Sequence, residues 1–114
     1  MTNMEMAPGV FVSAVSVDDW QPDTDPPGEV QVLCSAVGMQ AGLWRPVQGA
    51  TPGPVRWIPP TGEVLLVLEG TAKVEIEGGP TLELKPGVIA SLPKDAVTTW
   101  HVSSDFKEFW VLRE

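Results

Sequence analysis

Short valine-rich runs in which apolar and polar residues alternate with period two, cut repeatedly by glycine and proline, dominate this chain. Val10-Phe-Val-Ser-Ala-Val-Ser-Val17 and Glu29-Val-Gln-Val-Leu-Cys-Ser-Ala-Val37 read as strands, because successive side chains on a pleated backbone project to opposite faces. Between them Asp18-Asp-Trp-Gln-Pro-Asp-Thr-Asp-Pro-Pro-Gly28 is acidic and proline-rich, which predicts a surface loop or arm and not a domain linker. Glu63 to Glu77 predicts one long strand or a bent pair. Within it Ala72, Val74 and Ile76 alternate with Lys73, Glu75 and Glu77, so one face is wet. Gly78-Gly79 supplies a hairpin turn that tolerates positive φ. Thr81–Leu84, Val88–Leu92, Val97–Val102 and Phe106–Leu112 follow as strands, with turns at Lys85-Pro-Gly87, Pro93-Lys-Asp95 and Ser103-Ser-Asp105. Twelve prolines and eleven glycines leave few windows for a three-turn helix. Closely spaced strands with turn signals between them predict an all-β sandwich or barrel.

At 114 residues the chain has room for one domain with a genuine core. The predicted organisation is an N-terminal strand and Pro-rich arm over residues 1–28 and a barrel over residues 29–114. A net charge of −8 repels phosphate backbones and anionic lipid surfaces, so nucleic acid is not an expected partner. Met1-Thr-Asn-Met-Glu-Met-Ala-Pro8 has neither a basic n-region nor an apolar h-region, and no stretch is long enough to span a bilayer. The lone Cys34 forms no internal disulfide and has no second cysteine for a zinc cluster, which suits a reducing cytoplasm. Its apolar surroundings in sequence read as a small buried hydrophobe rather than a nucleophile.

Glu63-Val-Leu-Leu-Val-Leu-Glu69-Gly70 fits the frame E-x6-G, and Gly87-Val-Ile-Ala-Ser-Leu-Pro93 fits G-x5-P. On these frames, from Gly42 to Leu112, the chain resembles the cupin superfamily, and within it the short cupins similar to ureidoglycine aminohydrolase and to ethanolamine-utilisation cupins. Those relatives carry a Trp and Pro before the first frame, a G-T-W element after the second, and a basic pair with an aromatic in the last strand. The counterparts are Gly42-Leu-Trp44-Arg-Pro46, Thr98-Thr-Trp100 and Lys107-Glu-Phe-Trp110. The resemblance implies a double-stranded β-helix of the jelly-roll class, a cupin barrel, and with the apolar run Val10–Val17 it points to a homodimer. It also implies where a cupin holds its metal. The acidic ligand falls on Glu63, the paired histidine positions on Arg56 and Ile58, or on Trp57 and Pro59 with the shorter spacing, and the last histidine on Thr98. One carboxylate does not reproduce an imidazole-rich ligand set, so neither a metal nor another cofactor is expected. Val88 and Glu108 stand where the short cupins have acidic and basic residues, so their substrate is not carried over.

His101, the one histidine, follows Thr98 by three positions and so faces away from it in a strand. It reads as a surface or interface residue, although an imidazole needs no metal to act as a base. If Thr98 points inward, so do Trp100 and Val102, and in the last strand Glu108 shares a face with Phe106, Trp110 and Leu112. A carboxylate among such neighbours is costly unless paired. Arg56 or Lys107 is the expected partner, with Glu63 in the same cavity; alternatively Glu108 lies near a strand end and reaches water. Trp44, Trp57, Trp100 and Trp110 are either core or the lining of a mouth suited to a flat ligand.

No phosphate-cradling loop, Ser-His-Asp set or C-x2-C is present. Three functions stay open: a metal-independent cupin that binds a small organic molecule and performs isomerase, cyclase or lyase chemistry on it, a non-catalytic ligand-binding or regulatory cupin, and a metal-dependent cupin using His101, Glu63 and Glu108. The candidate acid/base residues are Glu63 and Glu108, and the candidate substrate-binding residues are Arg56, Trp44, Thr98, Trp100 and Trp110. A pocket of roughly 300 Å³ or more with convergent polar groups discriminates the first from a filled barrel.

Overall fold

Twelve strands and no helix run through residues 4–114, the part of the chain that the computed structural model describes. In chain order they are β1 (Met4–Ala7), β2 (Val10–Val12), β3 (Gln21–Thr24), β4 (Pro27–Ala36), β5 (Met39–Arg45), β6 (Val55–Trp57), β7 (Gly62–Glu69), β8 (Ala72–Ile76), β9 (Thr81–Leu84), β10 (Ile89–Leu92), β11 (Thr98–Val102) and β12 (Lys107–Arg113). A six-stranded sheet in the order β10-β7-β12-β5-β4-β3 lies against a four-stranded sheet in the order β6-β11-β8-β9, and β1-β2 forms a separate hairpin. From β7 onward the chain passes from one layer to the other, which is the jelly-roll barrel expected from the two motif frames. Among the described residues no helix is long and apolar enough to cross a membrane.

The inward faces meet in a core centred on Phe106, which is 1% exposed. Its ring contacts Trp44 and Trp100, with centroids 6.0 Å and 6.1 Å away in tilted and edge-on arrangements. Leu65, Val67, Val74 and Leu92 complete this centre. The two motif frames run along β7 and β10 and end in turns that lead to the other sheet. Gly70 has φ +71, and a Cβ there would lie 2.5 Å from Ser103 Oγ and 2.7 Å from Phe106 N, so only glycine fits where β7 gives way to β8. Asp95 occupies the position at which the second motif has glycine, and it too has positive φ, at 67. Asp is among the few residues that tolerate this region, and its N–H donates to Pro59 O at 2.9 Å.

Several elements differ from the sequence reading. The Glu63–Glu77 stretch is a bent pair, broken at Gly70. The Asp18–Gly28 connection contains a strand, β3, which pairs with β4 at the sheet edge. An edge strand tolerates Pro22, because one side of it makes no ladder. The strand expected over Val10–Val17 shortens to Val10–Val12 and pairs with β1. The segment after it crosses the outside of the larger sheet, held by Lys107 Nζ donating to Val15 O at 2.8 Å. Cys34 is half-buried.

Candidate functional site

The phase of the ladder between β7 and β12 builds the site. Glu63 lies opposite Leu112, Leu65 opposite Trp110 and Val67 opposite Glu108. Alternation then puts Glu63, Leu65 and Val67 on the same side of the sheet as Glu108, Trp110 and Leu112. This side borders a cavity of about 340 Å³ between the two sheets. Trp44 from β5, Trp57 from β6, Trp100 from β11 and Trp110 from β12 form much of its wall, with Val30 and Val55 beside them. Asp23, Asp25 and Pro26 from the β3–β4 hairpin, and Ile58 and Pro60 after β6, form its rim.

Glu63 is 4% exposed and accepts a hydrogen bond from Trp57 Nε1 at 2.9 Å. Burial pushes its carboxyl up to about 7, against the opposing effect of the indole hydrogen bond. Glu108 is 6% exposed, and its Oε2 has no hydrogen-bond partner among the described residues. Burial, and secondarily the nearby charge of Glu63, raises it well above the ordinary carboxylate range. The Nε1 of Trp44, which sits opposite Glu108 across β5 and β12, is likewise unpartnered among the described residues. One wall of the cavity thus carries a carboxyl whose protonated form is favoured by burial, a second carboxyl raised to about 7, and a spare N–H donor. Two interacting carboxyls in one apolar enclosure are a means of keeping an acid and a base available together.

Five of the seven sequence-selected residues line this cavity: Glu63, Glu108, Trp44, Trp100 and Trp110. Arg56 does not. It lies between inward Val55 and Trp57, so it points outward, exposed and opposite Thr99 on the outer face of the smaller sheet. It neither pairs with Glu108 nor reaches a ligand in the barrel. Lys107 is also turned away, at 2.9 Å from Glu69 Oε2. Thr98 is fully buried but does not line the cavity. Its hydroxyl donates to Trp57 O at 2.5 Å and accepts from Trp100 Nε1 at 2.9 Å, so it positions two tryptophans.

The residues at the cupin metal positions do not fit a metal. Trp57 offers an N–H that donates to Glu63, Thr98 spends its hydroxyl on the backbone, and His101 faces outward against Glu75. His101 therefore does not converge with Glu63 and Glu108, and among the described residues no three His, Cys, Asp or Glu side chains gather in a ligating cluster. The sequence reading placed Trp57 among the indoles that are either core or mouth but not among the substrate-binding residues, and it did not select Asp23 or Asp25 for the site. The usable signals were the alternation of Val55-Arg-Trp57 ahead of Glu63, and the period-two spacing of Asp23 and Asp25.

Trp57→Phe should remove the one interaction that opposes burial at Glu63, and so raise its pKa above about 7. Side-chain carboxyl 13C NMR titration measures this. A pKa that stays put or falls would contradict the role given to the indole.

The fold aligns with solved structures of low sequence identity. A Salmonella typhimurium protein provisionally assigned as ethanolamine utilization protein Q superposes with a TM-score of 0.80 at 20% identity, covering 98% of this chain and 92% of that one. The EutQ protein of Clostridium difficile gives 0.75 at 12% identity, over 98% and 85% of the two chains. A cupin-2 domain containing protein from Shewanella frigidimarina gives 0.58 at 21% identity, over 75% and 79%. No curated protein matches by sequence. Residues 38–109, which include both motif frames and three of the four cavity tryptophans, match the EutQ-like cupin domain, and the chain belongs to that cupin family.

Proposed function

We propose that this chain is a metal-independent cupin that takes a small, largely apolar organic molecule into the barrel and moves a proton on it, as isomerases, cyclases and lyases do. The observation that carries the reading is the convergence of Glu63 and Glu108 on one indole-walled cavity of about 340 Å³, which lies within the size range of small-molecule sites. An open cavity supports ligand chemistry over a barrel filled by its own side chains. Glu63, ionised to a useful extent near neutrality, accepts a proton from the ligand. Glu108, whose protonated form burial favours, donates one to the atom at which negative charge develops. The tryptophan walls exclude water and so strengthen both interactions.

The experiment is a thermal-shift screen of small metabolites, followed by product analysis on every hit with the parent and Glu63→Gln. Expected is a hit that stabilises both proteins and is converted only by the parent. Conversion at the parental rate by Glu63→Gln overturns the catalytic part. Metal independence has its own expected outcome. Purified protein should carry no stoichiometric transition metal, and a chelator should leave its Tm unchanged; about one metal per chain by elemental analysis would refute it. The homodimer is part of the same proposal, on the strength of the exposed Met4, Met6, Val10 and Val12 of the β1–β2 hairpin. Light scattering at micromolar concentration checks it, and a monomeric mass removes it.

A further inference from the structure

The charges bordering the cavity are of one sign. Asp23 and Asp25 stand at the rim and Glu63 and Glu108 inside, while among the described residues no Lys, Arg or His lines it. The basic residues near the barrel are engaged elsewhere or turned outward. Arg45 Nε is 2.8 Å from Glu29, and its guanidinium lies over the Trp20 ring, 4.1 Å from the centroid. Arg56 is on the outer face, and Lys107 holds Glu69 and Val15 O. Within the cavity, a carboxyl oxygen of Glu108 has no hydrogen-bond partner among the described residues. Four of the five tryptophans in the chain border the same space.

We infer that the barrel ligand is a small organic cation, an amine or quaternary ammonium, held among Trp44, Trp57, Trp100 and Trp110 with Glu63 as its counter-ion, the unpartnered oxygen of Glu108 as a polar acceptor beside it, and Asp23 and Asp25 drawing it to the mouth. The inference rests on the reading of the cavity as a ligand site and adds the ligand's class. Indole is the most favourable aromatic partner for a cation, and the attraction grows as water is removed. An anion would meet four carboxyl groups and no cation. A neutral ligand would leave the ionised form of Glu63 with only the Trp57 hydrogen bond to offset its burial. A cation meets both requirements.

The linkage has a definite sign. A bound cation favours ionised Glu63, so binding near pH 7 releases a proton; the other titratable groups facing the site are Glu108 on β12, Asp23 on β3 and Asp25 in the following turn. The probes are choline and its uncharged carbon isostere 3,3-dimethylbutan-1-ol, and 2-phenylethylammonium beside 2-phenylethanol. Binding is followed by tryptophan fluorescence and by calorimetry in buffers of different ionisation enthalpy.

At least one cation should bind about tenfold or more tightly than its neutral counterpart, with up to about half a proton released per chain at pH 7. Glu63→Gln should cut cation affinity about tenfold and leave the alcohol unaffected. Asp25→Asn, an exposed change that does not burden folding, should weaken the cation about two- to threefold and the alcohol not at all. Alcohols that bind as well as the cations overturn the inference and leave the acid–base reading of the cavity standing. Failure of both cations to bind at up to about 10 mM overturns it as well, whereas the metabolite screen decides the acid–base reading independently.

Discussion

Stability should fall as the pH is raised from 5 to 8, and Glu63→Gln and Glu108→Gln should each remove part of that fall. In the unfolded chain a glutamate loses its proton near 4.5, whereas folded Glu63 retains it up to about 7. Between those values the folded state binds more protons than the unfolded state, so the stability gradient with pH is negative. The contribution of Glu63 is fully present below about 4.5 and declines as pH rises to about 7, beyond which it is constant. A shift of this size corresponds to about 3 kcal/mol. Glu108, also raised by burial, contributes with the same sign.

An amide at position 63 keeps an oxygen for the Trp57 N–H and never ionises. Glu63→Gln should therefore match the parent at pH 5 and exceed it at pH 8 by up to about 3 kcal/mol, and Glu108→Gln should behave in the same direction. Denaturant unfolding of the three proteins at the two pH values measures the effect. A flat parental profile with both variants destabilised equally would show carboxylates that serve the fold, and would withdraw the case for proton transfer.

Gly70→Ala should cost about 2–5 kcal/mol, from about 1–2 for positive φ on a residue with a Cβ and about 1–3 for forcing an atom into packed surroundings. The added Cβ would meet Ser103 Oγ at 2.5 Å and Phe106 N at 2.7 Å. Neither neighbour yields freely. Ser103 Oγ accepts from Thr71 N at 2.9 Å and donates to Asp105 at 2.7 Å, and Phe106 is the centre of the core. Gly78 provides the control, because it has φ +72 and nothing within 4 Å of an added Cβ. Gly78→Ala carries the conformational cost alone. Denaturant midpoints of the two variants should separate clearly, and equal values would mean that the crowding at Gly70 relaxes without cost.

The strands that could be read from the chain are those with one wet face. β8 shows it best, with Lys73 and Glu75 outward and Ala72 and Val74 buried. β5 escaped because Ala41, Gly42, Leu43 and Trp44 are all buried, so no alternation marks it. β3 escaped because proline and aspartate disguise an edge strand as a loop. The same distinction governs the site. Glu63 and Glu108 were identifiable because their strands carry enough residues to fix an inward phase. Arg56 was misplaced because β6 is three residues long and its phase is set by Val55 and Trp57, which are drawn into the core on either side of it. That the orphaned atoms would be Glu108 Oε2 and Trp44 Nε1 depends on a cross-strand pairing that local sequence does not encode.

The β3–β4 hairpin has a consequence for how such a site can diversify. The family match begins at residue 38, but Asp23, Asp25 and Pro26 at the entrance, and Val30 on the wall, come from the chain before it. Entrance and reaction chamber are thus written in different stretches of the chain. Because β3 is an outer strand bound on one side only, its residues can be exchanged without disturbing the ladder that holds Glu63 and Glu108. The molecule is built so that admission to the barrel can be retuned while the carboxyl pair stays in place.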